Sequence, residues 1–288
     1  MWVIGGTNNV NSFASDVWYS GDGGSWKRAT ANAPFGGRYG SQVLSYNGKI
    51  WLIAGNSNCT FMNDVWNSSD GVSWSLVTPA AAFSPREDFG AVVFDDGSGP
   101  KMWVIGGWPG PNKNDVWNSS DGITWNQVTA NSGIPPRWGF DLVVYNNALW
   151  ALGGAYGGLP TTLTCSPNAP VSAYSDIWTS NNGVGWVQIL ATEPFTTTYY
   201  LQSVTNNNEI WTTGGYYLSA CCSSAQNGIY HTKNGINWTS VPNSPFVNRF
   251  YHLSLSYRNQ VWVIGGCSYQ NQGVSTVPVY LNDVWRSP

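Results

Sequence analysis

Charged side chains are scarce in this sequence of 288 residues. Asp, Glu, Lys and Arg together make up 9% of it, and the formal net charge is −3. A nucleic-acid-binding domain normally carries a dense basic surface, so this composition argues against a nucleic-acid partner. The sequence also lacks any run of 18 apolar residues, which argues against a transmembrane helix.

The apolar content, in contrast, is that of a folded protein. Hydrophobic residues make up 42% of the chain, and 18 of the residues are Trp. This composition excludes general disorder. A chain of this length buries roughly three-quarters of its unfolded surface, so its stability does not require a metal.

Five cysteines and four glycosylation sequons indicate a protein outside the cell. The sequons begin at Asn58, Asn67, Asn118 and Asn237, and each could accept an N-glycan on a secretory route. Because Asn, Ser and Thr are abundant, chance is the alternative for one or two of them. Met1 is followed directly by WVIGG, without signal-peptide features, so we expect a processed or truncated N-terminus. The prediction is an extracellular or cell-surface glycoprotein.

A short apolar pattern that ends in glycine recurs six times. The copies are MWVIGG (1–6), IWLIAG (50–55), MWVIGG (102–107), LWALGG (149–154), IWTTGG (210–215) and VWVIGG (261–266). Each is followed by a second pattern, in order SDVWYS, NDVWNS, NDVWNS, SDIWTS, NGIYHT and NDVWRS. In the first five copies a further Trp follows eight residues after the aromatic residue of the second pattern. The chain is therefore a series of six repeats.

These segments have the chemistry of β-strands. They are short, rich in Val, Ile, Trp and Tyr, and bounded by turn residues, as strands are. Each repeat is predicted to be a four-stranded antiparallel meander, with strands a to d in chain order. Radial repetition of such meanders predicts an all-β, six-bladed β-propeller that spans 1–288 as one domain. The repeats run approximately over 1–36, 37–84, 85–135, 136–195, 196–246 and 247–288.

The repeats resemble the kelch repeat of galactose-oxidase-like propellers. The shared features are the double Gly that closes strand b, the aromatic residue of strand c, the Trp of strand d and an Arg that opens strand a. The resemblance covers essentially the whole chain and implies a propeller, but kelch propellers serve many functions. The c–d hairpin S-x-D-G-x-[ST]-W is similar to the Asp-box turn of sialidases. It is one residue shorter, which indicates a similar turn and not common descent.

The repeats supply 22 strands, whereas six complete blades need 24. The first blade lacks its innermost strand, because the first repeat begins at strand b. The last blade lacks its outermost strand, because the last repeat ends at NDVWRSP, where strand d should follow. A missing strand leaves an open edge with unpaired backbone groups. Either the chain is a piece of a longer one, or a neighbouring molecule donates a strand.

Trp residues are concentrated at repeat positions, with six in b strands, five in c strands and five in d strands. Packing between blades is their expected role. The two exceptions are Trp108, in a b–c loop, and Trp138, at the start of a strand a. The b–c and d–a loops share one face of a meander, so we expect these two rings to be neighbours. They are a candidate pair for stacking on a ligand, with structural packing as the alternative.

Arg opens strand a and Asp opens strand c in the same four repeats. The residues are Arg38, Arg86, Arg137 and Arg249, with Asp64, Asp115, Asp176 and Asp283. The fifth repeat lacks both and has Thr198 and Gly228 at these positions. Because the two residues are lost together, we predict charge-assisted pairs that tie the strands of a repeat together. An anion site formed by converging Arg residues is the alternative.

No metal site, cofactor or catalytic residue is predicted. The turn residues Asp70 and Asp121 are replaced by Asn182 and Asn234 in other repeats, so the turn needs an acceptor and not a charge. The copper chemistry of galactose oxidase requires His ligands, but the two His residues lie in different repeats. No Ser-His-Asp or Cys-His set can be placed on one face.

All five cysteines lie in b–c loops and hence on one face. We predict that Cys165 pairs with one of Cys221 and Cys222 and that the other pairs with Cys267, which would join the long loops of the last three repeats. A Cys221–Cys222 bond is the alternative. Cys59 is then free, buried or linked to another molecule.

The same loops carry Tyr156, Tyr216, Tyr217 and Tyr269. Such loops on a rigid scaffold either bind a ligand or cover the mouth of the channel. The first functional hypothesis is a secreted structural or adhesive module that associates with itself or with extracellular partners, including as a filament subunit. A carbohydrate-binding, lectin-like propeller is the second. An enzyme of the galactose-oxidase or sialidase type is the third.

Overall fold

The computed structural model describes residues 1–9, 12–110, 113–157, 172–192, 198–217, 224–272 and 275–288. Over these residues the chain forms antiparallel strands joined by turns and loops, and no residue is helical. No helix of membrane-spanning length and hydropathy is thus found among them. The prediction of an all-β protein is confirmed. Two compact units are present, Met1–Trp138 with Asn182–Val184, and Gly139–Asn181 with Gly185–Pro288.

The first unit contains three sheets, one from each of the first three repeats. Sheet 1 has three strands in the order β1-β2-β3, and sheets 2 and 3 have four strands each in meander order. The strands of sheet 1 are β1 (Trp2–Asn9), β2 (Ser12–Tyr19) and β3 (Lys27–Thr30). Those of sheet 2 are β4 (Gln42–Tyr46), β5 (Lys49–Ser57), β6 (Thr60–Ser68) and β7 (Ser75–Thr78). Those of sheet 3 are β8 (Gly90–Asp95), β9 (Pro100–Gly107), β10 (Lys113–Ser119) and β11 (Asn126–Thr129).

The second unit contains the sheets of the last three repeats and two small additional sheets. Sheet 4 consists of β12 (Asp141–Tyr145), β13 (Ala148–Leu152), β16 (Ile177–Ser180) and β17 (Val187–Leu190), and β14 (Ala155–Tyr156) pairs with β15 (Ser172–Ala173). Sheet 5 consists of β19 (Gln202–Asn206), β20 (Glu209–Thr213), β23 (Ile229–Thr232) and β24 (Thr239–Ser240). The other small sheet has β18 (Thr198–Tyr199), β21 (Tyr216–Tyr217) and β22 (Ser224–Ala225). Sheet 6 has three strands, β25 (Leu253–Tyr257), β26 (Gln260–Gln272) and β27 (Ser275–Arg286).

The a–b hairpins owe their tight turns to asparagine and glycine. The turn between β4 and β5 places Asn47 at φ 48° and Gly48 at φ 71°, and Asn146–Asn147 and Asn207–Asn208 are equivalent. Two successive residues with positive φ make the type I′ geometry that matches strand twist. Asn tolerates this region better than most residues, so the short polar turns set the register of each hairpin.

The second glycine at the end of strand b links each repeat to the next. Its N–H donates to the carbonyl of the residue that opens the following repeat, as in Gly55 to Arg86 at 2.9 Å and Gly215 to Arg249 at 2.9 Å. Gly55 has a φ of 107°, and a β-carbon there would approach Ser41 Cβ to 2.8 Å. Positive φ and close backbone approach both require glycine, which explains why this position recurs in the sequence.

Apolar cores lie between successive sheets within each unit. One core joins sheets 2 and 3 and is centred on Trp51, Phe83 and Trp125. Another joins sheets 4 and 5 around Trp150 and Ile210. The a strands of neighbouring sheets lie side by side, β4 with β8 in the first unit and β12 with β19 in the second. This arrangement is compatible with a propeller-like fold.

Candidate functional site

An arginine, an aspartate and a tryptophan form a repeated bracing unit. In the third repeat, Arg86 donates to both carboxylate oxygens of Asp115, at 2.9 and 2.8 Å, and to the Gly106 carbonyl at 2.8 Å. Trp117 Nε1 donates to the same carboxylate at 2.7 Å. Burial favours the neutral acid, but the hydrogen bonds and charge of Arg86 outweigh it and hold the pKa of Asp115 below its usual value.

The same geometry recurs in the second and last repeats. Arg38 binds Asp64 at 2.7 and 3.0 Å, and Arg249 binds Asp283 at 2.8 Å through each nitrogen. The predicted pairing of Arg with Asp within a repeat is therefore confirmed for these three repeats. In the fourth repeat, Arg137 and Asp176 are both buried, and their pairing stays a prediction. Because the three guanidinium groups are engaged by Asp, they do not form an anion site.

The fifth repeat has a small cavity where the brace is missing. It is lined by Thr198, Thr212, Gly214 and Gly228, among other residues. The hydroxyl groups of Thr198 and Thr212 are buried and lack a hydrogen-bond partner. With Thr and Gly in place of Arg and Asp, the fifth repeat therefore contains a small cavity and two unsatisfied buried hydroxyl groups.

The c–d turn is held by side-chain acceptors, as predicted. Asp70 Oδ1 accepts from the N–H groups of Val72 and Ser73, each at 2.8 Å, and from Ser68 Oγ at 3.0 Å. The backbone hydrogen bonds from Ser73 and Val72 lower the pKa of Asp70 to about 2. Asn234 Oδ1 makes the equivalent contacts in the fifth repeat, at 2.9 and 2.8 Å. The turn carboxylates thus accept hydrogen bonds from backbone N–H groups of their own turns.

The glycine of each c–d turn packs on the strand-b Trp of the preceding repeat. A β-carbon at Gly122 would lie 2.2 Å from the Trp51 ring, and one at Gly235 would lie 2.2 Å from the Trp150 ring. Gly71 with Trp2 and Gly183 with Trp103 repeat this contact. The first role of these glycines is the positive φ of the turn, between 71° and 74°. The second role follows from packing between repeats.

Sheets 1 and 6 have three strands instead of four, and each therefore has an edge strand that is an inner strand in sheets 2 to 5. In sheet 1 the edge is β1, a b strand with no a strand beside it, and in sheet 6 it is β27, a c strand with no d strand among the described residues. The missing partners are the two that the sequence predicted. Val17, Val65 and Val116 in other c strands are fully buried, whereas Val284 in β27 is only half-buried. These edges are the candidate functional site.

The aromatic side chains that were candidates for stacking on a ligand are largely buried. Trp108 and Trp138 are neighbours, with ring centroids 6.3 Å apart and an interplanar angle of 65°. They are only 5% and 1% exposed, so in this arrangement they pack together and offer little face to a ligand. Tyr216 is buried against Phe250, with centroids 4.9 Å apart. Tyr217 and Tyr269 are half-buried and Tyr156 is exposed.

The structure describes only part of the cysteine pattern. Cys267 is disulfide-bonded, and Cys59 is free and exposed. Cys165, Cys221 and Cys222 lie outside the described residues, so the connectivity stays a prediction.

The four sequons differ in accessibility. Asn58 and Asn237 are exposed and Asn67 is half-buried. Asn118 is only 6% exposed. Since a glycan must project into solvent, this burial disfavours Asn118 as an acceptor, and the occupancy of all four sequons stays a prediction.

Comparisons with known proteins add no relative. No protein-family model matches the chain, and no curated protein matches it. Among the described residues, no group of three or more His, Cys, Asp or Glu side chains could hold a metal ion.

Proposed function

We propose that this protein is a secreted, non-catalytic structural module that assembles with copies of itself through the open edges of β1 and β27. In this proposal the six sheets are the blades of a kelch-like propeller whose first blade lacks its innermost strand and whose last blade lacks its outermost strand. The observation that carries it is the presence of two open edges of different type on one chain.

The residues on these edges are suited to pairing. Val3 and Ile4 on β1 are half-buried, whereas their equivalents Leu52 and Ile53 are fully buried in the cores between sheets. The d strands at the outer edges of sheets 1 to 5 are protected from pairing with another molecule. They have only two to four residues, and β3 begins with exposed Lys27 and Arg28. Short, charged edges resist pairing, whereas long apolar ones invite it. β1 has eight residues and β27 has 12.

The two edges favour head-to-tail association. When β1 of one molecule pairs with β27 of another, the first molecule still has a free β27 edge and the second still has a free β1 edge. A heterologous contact of this kind continues into an open filament unless rotation closes it into a ring. The low charge of the chain limits the repulsion between copies.

An engineered cap on β27 tests the proposal. Ser287 and Pro288 stand where Ser68 and Ser69 stand in the second repeat, so a copy of residues 70–78 (DGVSWSLVT) attached after Pro288 supplies the turn and strand d. We expect the chain of residues 1–288 to form filaments in negative-stain images, and the capped chain to be monomeric by size-exclusion chromatography with light scattering. The matched control is an extension of the same length with a scrambled sequence, which should still assemble. A monomer at every concentration of the uncapped chain, or a capped chain that assembles equally well, would contradict the proposal.

The extracellular location in this proposal has separate support. Exposed sequons at Asn58 and Asn237 suit glycosylation on a secretory route. The disulfide at Cys267 suits an oxidising compartment.

A further inference from the structure

The open edge of β1 presents the backbone groups of Trp2 and Ile4 for pairing. Met1 and Ser20 exchange two backbone hydrogen bonds, of 2.8 and 3.0 Å. Because hydrogen-bonded and non-hydrogen-bonded pairs alternate along antiparallel strands, the N–H and C=O groups of Trp2 and Ile4 point away from β2 and towards the open edge. Beyond Ile4 the ladder ends, since the Gly6 N–H is already bonded to the next repeat at 2.8 Å.

The end of β27 presents a stretch of the same length. The Ser287 N–H donates to the Val261 carbonyl on β26 at 2.9 Å. By the same alternation, the backbone groups of Arg286 and Val284 point away from β26 and towards the open edge. The pairing of β27 with β26 is interrupted by a bulge between Val284 and Leu281, so the regular ladder ends there.

Beyond this bulge, β27 is less suited to pairing. Cys267 on β26 exchanges two backbone hydrogen bonds with Phe250, of 3.0 and 2.8 Å, so its pair with Tyr280 on β27 is not hydrogen-bonded. The backbone of Pro278, two residues away, therefore also faces the open edge. Because proline has no N–H, it interrupts a ladder at this point. The segment that suits pairing is thus 284–286.

We propose that β1 of one copy and β27 of another meet in a single register, an inference that rests on the proposed function of assembly through these edges. The directly opposed residues of the first and second copy are Trp2 with Arg286, Val3 with Trp285, and Ile4 with Val284. The two outer pairs are then hydrogen-bonded, because their backbone groups face each other. A slip by two residues keeps only one of these pairs, and a slip by one turns every side chain to the other face.

A cation–π contact favours this register. Arg286 is exposed, and its guanidinium carbon lies 5.8 Å from the centroid of the Trp262 ring on β26. Neighbouring strands are about 4.8 Å apart, and directly opposed side chains share one face. Trp2 of the second copy would therefore lie on the other side of Arg286, which places the cation between two aromatic rings.

The remaining opposed side chains are also well matched. Val284 and Ile4 are both half-buried and would form an apolar pair. Trp285 and Val3, on the opposite face, would form a pair of an aromatic and a β-branched side chain, a type that stabilises antiparallel sheets. The register therefore covers apolar side chains on both faces of the joined sheet.

Cysteine pairs test the register. Val3 and Trp285 would be a non-hydrogen-bonded pair, whose Cα atoms lie about 4.5 Å apart, within reach of a disulfide. In a Cys59→Ser background, which removes the free thiol, Val3→Cys chains are mixed with Trp285→Cys chains and oxidised. We expect a covalent dimer on non-reducing gels and the cross-linked peptide in mass spectra. Val3→Cys mixed with Ser287→Cys is the matched control, since Ser287 lies two residues out of register and too far for a disulfide.

The Arg286 side chain gives a second measurement, which also serves if Trp285→Cys does not fold. Arg286→Gln should raise the critical concentration for assembly about threefold or more, because the attraction between its charge and the Trp2 ring is lost. Arg258→Gln is the matched control. Arg258 is exposed, follows β25 in the same sheet and stacks on Tyr257 at 5.1 Å, so this variant loses the same charge away from β27 and should assemble as the wild type does.

The outcomes separate the register from assembly itself. A cross-link through position 285, with a selective effect of Arg286→Gln, supports the register. If the wild type assembles but cross-links form equally well through position 287, or the two Arg variants behave alike, the register is overturned and the proposed function stands. If light scattering shows that the wild type does not assemble and no cross-link forms, both are overturned.

Discussion

Arg86 and Asp115 are 29 residues apart in the sequence and are joined by two parallel hydrogen bonds of 2.9 and 2.8 Å. The pair connects the start of strand a to strand c across the whole width of the b strand. Its fork geometry is specific to Arg, because Lys offers a single point charge.

Removing one partner of this pair should be costly. The Arg86 side chain is 0% exposed and that of Asp115 is 16% exposed, so Asp115→Ala leaves a buried guanidinium without its counter-ion. We expect a loss of about 3–5 kcal/mol in the free energy of unfolding, measured in urea. Asp283→Ala should cost less, because the Asp283 side chain is 35% exposed and water can replace it. Equal losses in the two variants would show that solvent access does not determine the cost.

The packing role of the turn glycines can be separated from their conformational role. Gly122 and Gly48 have nearly the same φ, 74° and 71°, but only Gly122 faces a ring, that of Trp51, while nothing lies within 4 Å of a β-carbon at Gly48. Gly48→Ala should cost about 1–2 kcal/mol from the left-handed backbone alone. Gly122→Ala should cost about 1–3 kcal/mol more, because Trp51 must move. Denaturant titrations of the two variants measure the difference, and equal costs would remove the packing argument.

The stability of the protein should fall on acidification because of His252. This side chain is buried between Gly214 and Gly266 and contacts Thr213 Oγ1 through Nε2 at 2.9 Å. Burial, and then the positive charge of Arg249, lower the pKa of His252 to about 3. The unfolded chain, with a His pKa of about 6.5, therefore binds the proton first, and stability is lost as the pH falls from 6.5 towards 3.

The measurement is the free energy of unfolding at pH 7.5 and pH 5. His252 should account for about 2 kcal/mol of the decrease, and His252→Gln should show a decrease smaller by that amount. A wild-type decrease that persists in His252→Gln would assign it to other groups.

Glycan occupancy should follow exposure and not the sequon alone. When the chain is produced through a eukaryotic secretory pathway, we expect glycans at Asn58 and Asn237 and none at Asn118, whose side chain is buried. Peptide mapping after enzymatic deglycosylation in heavy-oxygen water identifies occupied sites. Thr239→Ala removes the sequon of Asn237 and should delete that signal only. A modified Asn118 would contradict the packing described for β10.

Local pattern was sufficient to predict the meanders, the two incomplete sheets and the Arg–Asp pairs. Apolar residues that alternate along the chain predict the strands, and Asn and Gly predict the turns. The joint absence of Arg and Asp in the fifth repeat predicts that the two residues pair in the other repeats. The bond from Trp117 to Asp115 was missed, although the recurring D-x-W spacing was a usable signal, since a β-strand returns to the same face after two residues.

Other features depend on neighbours that no local pattern reveals. The nine residues NDVWNSSDG occur identically at 63–71 and 114–122, yet Asn67 is half-buried and Asn118 is buried. Likewise, Glu87 is unremarkable as part of RED in the sequence. Its complete burial depends on neighbours that are distant in the sequence, as does the burial of Trp108 and Trp138.

The contact between each turn glycine and the preceding Trp also bears on how such a chain can grow. In the four described contacts, the ring of one repeat is seated by a residue of the next repeat. A gene duplication that inserts one whole period leaves every ring with a glycine to receive it, whichever residue the period starts from. An insertion of half a period leaves a Trp against an unmatched surface. The repeat number is therefore free to change in whole steps only.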